Sequence, residues 1–212
     1  MSGILDLLNS DLGKTIIKGV SNQTNQPQNK TQNVLTMALP LLMQSMKRNA
    51  TTPKGAEGLM NALSNKHDGS ILDNLGGLFN NGVDANVLED GSKILGHVLG
   101  GKQQQVESAL GAKAGMDSGS VAQILKVAAP ILMGVLGKES RQQNISNSNG
   151  IETLLGGLLK GKGSQQNQSF IESILDADGD GSIIDDVAGM VLGGNKKKGG
   201  LGSLLGGLFG KK

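Results

Sequence analysis

The sequence predicts an all-α protein, a multihelical bundle of two pseudo-repeated halves with a Gly-rich C-terminal tail. The hydrophobic residues are almost all aliphatic, because the 212 residues include three Phe, no Trp and no Tyr. Gly occurs 34 times, and a chain rich in Gly but poor in aromatic and β-branched residues disfavours β-sheet. Apolar residues recur at helical spacing, and two segments of the chain repeat. Together these observations favour packed helices.

The first predicted helices lie near the N-terminus. Residues 4–20 contain two short runs of apolar residues at helical spacing, with Ser10 and Asp11 as a cap between them. The stretch from Asn22 to Asn33 is rich in Asn, Gln and Thr. This composition predicts a loop.

A buried helix is predicted next, over residues 34–43, which are apolar on nearly every side. Pro40 lies within this run and should kink the helix or begin a second segment, because proline lacks an amide donor. Thr52 and Pro53 predict a further helix start, with Thr as the cap and Pro in the first turn. Later helices are predicted up to Phe79, over 84–99, over 102–114, and from Asp117 or Ser118 through Met133.

An internal repeat organises these helices into two halves. Residues 34–43 align with 124–133, and residues 68–76 align with 180–188. The two offsets, 90 and 112, differ by 22 residues, which fits an insertion between Lys138 and Gln168. The predicted units are a first half over 1–99 (repeat about 10–82, then a linking helix), a second half over 100–193 that carries the insertion, and a flexible Gly/Leu/Lys tail over 194–212.

The strongest candidate site is the Asp-rich segment 176–186, which contains five Asp and no Lys or Arg. Its Asp-x-Asp-x-Asp-Gly opening matches an EF-hand calcium loop, in which the first, third and fifth positions supply side-chain oxygens. The match is incomplete, because Val187 stands where a bidentate Glu normally closes the loop. Oxygen ligands favour Ca²⁺, with Mg²⁺ as the weaker alternative. The predicted ligands are Asp176, Asp178, Asp180, the Ser182 carbonyl, and Asp185 or Asp186.

A turn followed by a helix cap is the alternative explanation of this segment. Ser182 and Asp185 have the spacing of a capping box, and Ser70 and Asp73 repeat that spacing in the first half. The first half, however, has a Ser and a Lys where the second half has its first two Asp. Capping therefore leaves these Asp residues unexplained, and a bound cation is favoured.

Composition limits the other function classes. A net charge of +2 and the scarcity of aromatic residues argue against nucleic-acid binding. The chain has no Cys, and therefore no disulfide or thiolate metal site. No secretory signal is visible, and no apolar stretch approaches the ~18 residues of a transmembrane helix. A cytoplasmic protein is expected. His67 is predicted in a loop and His97 on a helix face. Neither histidine has a nearby Ser nucleophile and acid in a recognisable arrangement, so enzyme activity is not expected.

The tail has its own pattern. Lysines flank a helical stripe of Leu and Phe in residues 196–212, while Gly fills the opposite side. This pattern predicts weak contact with a membrane surface, or docking on a protein partner or a second subunit.

Four short motifs stand out along the chain: Val98-Leu99-Gly100, 106–110, 129–133 and 175–186. They resemble those of the bacterial YidB-like proteins, known as domain of unknown function 937. The resemblance covers about residues 30–193, with the tail outside it, and implies an all-helical fold, a bacterial source and no established activity. We expect a non-enzymatic, calcium-binding structural or interaction protein with an unknown partner or self-association. The alternative is a peripheral membrane or self-assembling protein that acts through its Gly/Leu helices.

Overall fold

Two long apolar helices form the centre of the protein, and the other helices pack around them. The structure, a computed structural model, describes residues 3–80, 82–160 and 164–176, and this part of the chain contains ten α-helices and no strand. This confirms the all-α prediction. The helices are α1 (Ile4–Asn9), α2 (Asp11–Thr24), α3 (Gln28–Ala50), α4 (Pro53–Asn65), α5 (Leu75–Asn80), α6 (Ala85–Leu99), α7 (Gln103–Ala114), α8 (Ser118–Gln142), α9 (Ser148–Leu159) and α10 (Ser164–Asp176).

Helices α3 and α8 contact each other and supply most of the core. Each contains a buried proline, Pro40 in α3 and Pro130 in α8. Helix α3 runs unbroken through Pro40, so no second segment begins there. Both helices are apolar on nearly every side over their middle turns, and burial of these residues offsets the hydrogen bond that each proline removes. The fully buried side chains of the two helices include Leu35, Leu41, Leu42, Met43, Ile124, Leu125, Leu132 and Leu136.

Helix α8 differs from one expectation of the sequence. It is 25 residues long with a mean hydropathy of 1.6 over its most apolar window, which is long and apolar enough to cross a membrane. The prediction that no apolar stretch approaches this length is therefore wrong. The protein buries 72% of that window, and such burial is typical of the central helix of a globular protein.

The predicted loop over 22–33 is mostly helical. Helix α2 continues to Thr24 and α3 begins at Gln28, so the break is confined to three residues. Asn25 adopts the left-handed conformation, with a φ of 52°, and ends α2, as Asn commonly does. Pro27 precedes the first turn of α3. Exposed Asn and Gln are tolerated in helices, so their abundance did not mark a loop.

Helices α4 and α6 both pack on the central pair. Helix α4 begins as predicted, with the Thr52 hydroxyl accepting from the Gly55 amide at 3.1 Å. Helix α6 approaches α8 most closely at Gly91, where a side chain would overlap the carbonyl oxygen of Lys126. Pro130 lies four residues after Lys126 and has no amide hydrogen to donate to that carbonyl. Gly91 of α6 thus fits beside the Lys126 carbonyl of α8, which receives no helical hydrogen bond from Pro130.

The segment after α4 crosses over α8 before a short 3₁₀ helix, Ser70–Asn74. The predicted capping box of Ser70 and Asp73 is wrong here. Gly69, with a φ of 100°, occupies the cap position, and the Asp68 carboxylate accepts from the Ser70 amide at 3.0 Å. This hydrogen bond is the main reason that the pKa of Asp68 is lowered. Arg141 of α8 adds an ion pair to Asp68 at 3.2 Å.

The last described helix, α10, packs on α3 and α7. Its buried side chains are Phe170, Ile171, Ile174 and Leu175. The Leu175 carbonyl near its end accepts from Arg48 of α3 at 3.0 Å and from Lys102 at 2.6 Å. Cationic donors at a helix C-terminus satisfy carbonyls that have no partner within the helix. The chain therefore leaves the described part beside Arg48.

Candidate functional site

A cleft of about 810 Å³ lies between α4 and α6. The end of α3 closes one side, because the Asn49 side-chain amide donates to the carbonyls of His97 (3.1 Å) and Val98 (3.3 Å) near the end of α6. Residues of α8 contribute to the base. All four elements belong to the packed core, so the cleft is formed by the fold itself.

The base of this cleft is apolar and its edge is positively charged. Met46, Ile94 and Met133 are buried and form the base. Among the described residues, the lining also contains four cationic side chains and a single carboxylate, that of Asp90. Lys93 shares its charge with Glu89 through an ion pair of 2.7 Å. An apolar base with cations at the edge suits an anionic ligand that also carries apolar groups. The cations are Arg48, Lys54, Lys66 and Lys93.

His67 and Asp90 face each other at one end of the cleft. Their Nε2 and Oδ2 atoms are 3.6 Å apart, and the His67 side chain is only 9% exposed. Burial lowers the pKa of His67, Asp90 opposes that effect, and the neighbouring Lys66 adds to it. The folded protein thus favours the neutral imidazole at this position.

This pKa shift predicts how stability depends on pH. As pH falls through the ordinary pKa of 6.5, the unfolded chain takes up a proton at His67 before the folded protein does. The free energy of unfolding should therefore fall, and this loss should level off below the lowered pKa of the folded state. Urea denaturation followed by circular dichroism between about pH 7.5 and 5 measures the dependence.

His67→Gln should make this dependence on pH shallower, because the titrating group is gone. His97 is exposed and lines the same cleft, so His97→Gln provides a matched control that should keep the wild-type dependence. If the two variants respond to pH in the same way, His67 is not the group that links proton uptake to unfolding.

Hydrolytic chemistry does not fit this arrangement. Thr52 is the one hydroxyl among the described residues that line the cleft, and it is committed to the α4 cap, donating to the Asn49 carbonyl at 3.0 Å. Glycoside hydrolysis normally needs two carboxylates across the cleft, and Asp90 is the only one that the described part of the lining supplies.

The predicted calcium ligands lie almost entirely outside the described residues. Asp176 is the last residue of α10. Within residues 3–80, 82–160 and 164–176, no group of three His, Asp or Glu side chains is placed to hold a metal ion. The calcium site therefore stays a prediction, as does the contact of the tail with a membrane. The ligands outside the described part are Asp178, Asp180, Ser182, Asp185 and Asp186.

Comparison with known proteins identifies a family. The sequence model of a family described as bacterial protein of unknown function (DUF937) matches residues 6–139 and 142–212. The chain belongs to this family. The DUF937 match reaches the C-terminus, so the expectation that the tail lies outside the family is wrong. Neither the curated proteins nor the solved structures gave a match to the chain. Membership of DUF937 supports a bacterial protein and assigns no activity.

Sequence reasoning missed the cleft of this DUF937 protein. His67 was predicted in a loop, which is correct, but its pairing with Asp90 was not predicted. The two residues are 23 positions apart and meet only because α4 and α6 pack on the same central helices. Isolated glycines within predicted helices, such as Gly91, were the available signal, since a helical Gly often marks a close approach of two backbones.

Proposed function

We propose that the protein is a non-enzymatic, cytoplasmic interaction protein whose cleft binds an acidic, partly apolar segment of polypeptide. The observation that carries this proposal is the combination of a buried apolar base with four cationic side chains, of which Lys93 is already paired with Glu89, against one carboxylate among the described residues of the lining. Opposite charge at the edge would speed encounter and fix orientation, while apolar contacts at the base would supply affinity.

A peptide fits this lining better than a nucleic acid does. Proteins that bind single-stranded nucleic acid usually stack bases on aromatic side chains, and the residues that line the cleft include no Phe, Tyr or Trp. Methionine and aliphatic side chains, by contrast, adapt readily to the side chains of a peptide.

Binding of a labelled acidic peptide tests this proposal. A fluorescein-labelled synthetic peptide in which Asp alternates with Leu should bind the full-length protein, and fluorescence anisotropy should report it. Lys54→Glu combined with Lys66→Glu should weaken binding about tenfold or more, because two attractive charges become repulsive. Both lysines are exposed and line the cleft, so the change should leave the core intact.

Lys18→Glu is the control for this charge reversal, since Lys18 is exposed on α2 and does not line the cleft. Two further ligands serve as controls. A peptide with Lys in place of Asp tests the effect of charge, and a single-stranded oligonucleotide tests the class of ligand. The proposal fails if the cleft variant binds the acidic peptide as wild type does, or if the oligonucleotide binds more tightly than the peptide.

Calcium binding by the Asp-rich segment is the second part of the proposal. Three Asp at alternate positions before a Gly repel one another unless a cation or other compensation is present. Isothermal titration of the full-length protein with Ca²⁺ should show binding that Asp178→Ala and Asp180→Ala each weaken, and Asp73→Ala should leave it unchanged. Absence of binding heat in the wild-type protein would end the calcium hypothesis and leave the peptide-binding cleft as proposed.

A further inference from the structure

The chain leaves the described part of the protein at the edge of the cleft. Arg48 donates to the Leu175 carbonyl at 3.0 Å and also lines the cleft. The 36 residues that follow Asp176 therefore begin near Arg48, one of the cations at the edge of the cleft. We propose that residues 177–192 of the same chain occupy the cleft, an inference that rests on the function proposed above and names the segment that is bound.

Charge and hydrophobicity of this segment match the cleft. Residues 177–192 contain four Asp and no Lys or Arg, opposite in sign to the edge of the cleft. Ile183, Ile184 and Val187 lie among these Asp and suit the apolar base. The Lys-flanked tail that follows is a poor match, because its charge has the same sign as the edge. The acidic residues of the segment are Asp178, Asp180, Asp185 and Asp186.

The segment is long enough to reach along the whole cleft. Helix α4, which forms one wall, has 13 residues and is about 20 Å long at about 1.5 Å per residue. An extended chain advances by at most about 3.3–3.6 Å per residue, so the eight residues from 177 to 184 span up to about 27 Å. The extended length of residues 177–184 therefore exceeds the length of α4.

The predicted sequence repeat points to the same surface. Residues 68–76 align with 180–188, and in the first of these segments Gly69 lies against Lys138 of α8. The offset of 90 between the long helices relates Lys138 to Arg48 of α3. A segment that repeats this packing would lie beside Arg48, which lines the cleft.

Chemical crosslinking in the full-length protein tests this inference. The chain has no Cys, so only introduced thiols react. Two double variants are compared. The test pair joins Ile184→Cys to Asn61→Cys, a position that lines the cleft. The control pair joins Ile184→Cys to Asn33→Cys, near the start of α3. Both partner positions are exposed, and Asn33 is 15 residues from Arg48, about 22 Å along the helix.

With a short bismaleimide and EGTA present, the Asn61 pair should crosslink about tenfold faster than the Asn33 pair, because docking raises the local concentration of the Ile184→Cys thiol near Asn61→Cys.

Two results decide the inference. Equal crosslinking of the Asn61 and Asn33 pairs overturns it. The preference should also disappear when the four Asp of the segment are changed to Asn, and a preference that persists overturns docking by charge.

The test also separates this inference from the proposed function. If the Asp/Leu peptide binds but crosslinking shows no preference, the cleft binds acidic segments of other molecules and the inference fails alone. If crosslinking shows the preference but no added peptide binds, even to the variant with four Asp→Asn changes, the cleft serves only its own chain. In that case the proposed function fails and the inference stands.

Discussion

Replacing Gly91 with Ala is expected to destabilise the protein by about 3 kcal/mol and to lower its melting temperature by about 10 °C. The added methyl group would overlap the backbone carbonyl oxygen of Lys126 on α8. Backbone cannot rotate away as a side chain can, so α6 must move off α8. Pro130 leaves that carbonyl without its helical donor, which is what allows the two helices to approach so closely. Thermal denaturation followed by circular dichroism measures the loss.

Gly96 provides the control within the same helix. A Cβ at Gly96 would have no neighbour within 4 Å, so Gly96→Ala should stabilise α6 by about 0.5–1 kcal/mol through helix propensity. The two substitutions are chemically identical and lie five residues apart, so their opposite signs would isolate the contact with α8. A Gly91→Ala protein that melts with the wild type would show that the helices do not approach each other at this position.

Gly137→Ala should cost about 1–3 kcal/mol and should also disturb the cleft. The new methyl group would overlap the carbonyl oxygen of His67, whose carbonyl carbon it would approach to 2.8 Å. The segment that crosses α8 must then lift away. That movement would loosen the ion pair between Arg141 and Asp68 and displace the His67 side chain. Thermal denaturation measures the stability, and NMR titration of the His67 imidazole measures its pKa.

The pKa should rise in this variant, because exposure to water removes the desolvation that lowers it. Gly134→Ala, one turn earlier in α8, is the matched comparison. Its methyl group would meet chiefly the γ2 methyl group of Ile71, a side-chain atom that can move without displacing the backbone, so a smaller loss of stability and an unchanged His67 pKa are expected. Equal effects of the two substitutions on the His67 pKa would contradict this account of how the segment is positioned.

The helices themselves were largely predictable from the sequence. The apolar runs around Pro40 and Pro130 predicted buried helices, and α4 begins at the predicted Thr52 cap. These features are local, since periodicity and capping depend on residues within a few positions of one another. The predicted loop over 22–33 failed because polar composition was weighed above the exact positions of Asn25 and Pro27, which confine the break.

The cleft was less predictable because it depends on packing. Two helices that both contact α8 form its walls, and nothing in the sequence of α4 indicates which residues of α6 lie opposite. The pairing of His67 with Asp90 arises in the same way. The Ser70–Asp73 box failed for a more local reason. Gly69 adopts a positive φ and takes the cap position, which lets Asp68 accept the amide hydrogen bond instead.

The hydrogen bonds that Arg48 and Lys102 donate to the Leu175 carbonyl affect how an added ligand would compete for the cleft. These hydrogen bonds fix the C-terminal end of α10 near Arg48, which lines the cleft. If the residues after Asp176 occupy the cleft as proposed, their covalent attachment to α10 gives them an effective concentration of about millimolar at the cleft. An added acidic peptide would then compete with this segment, and it would reach the wild-type cleft only at a comparable concentration or with a higher affinity.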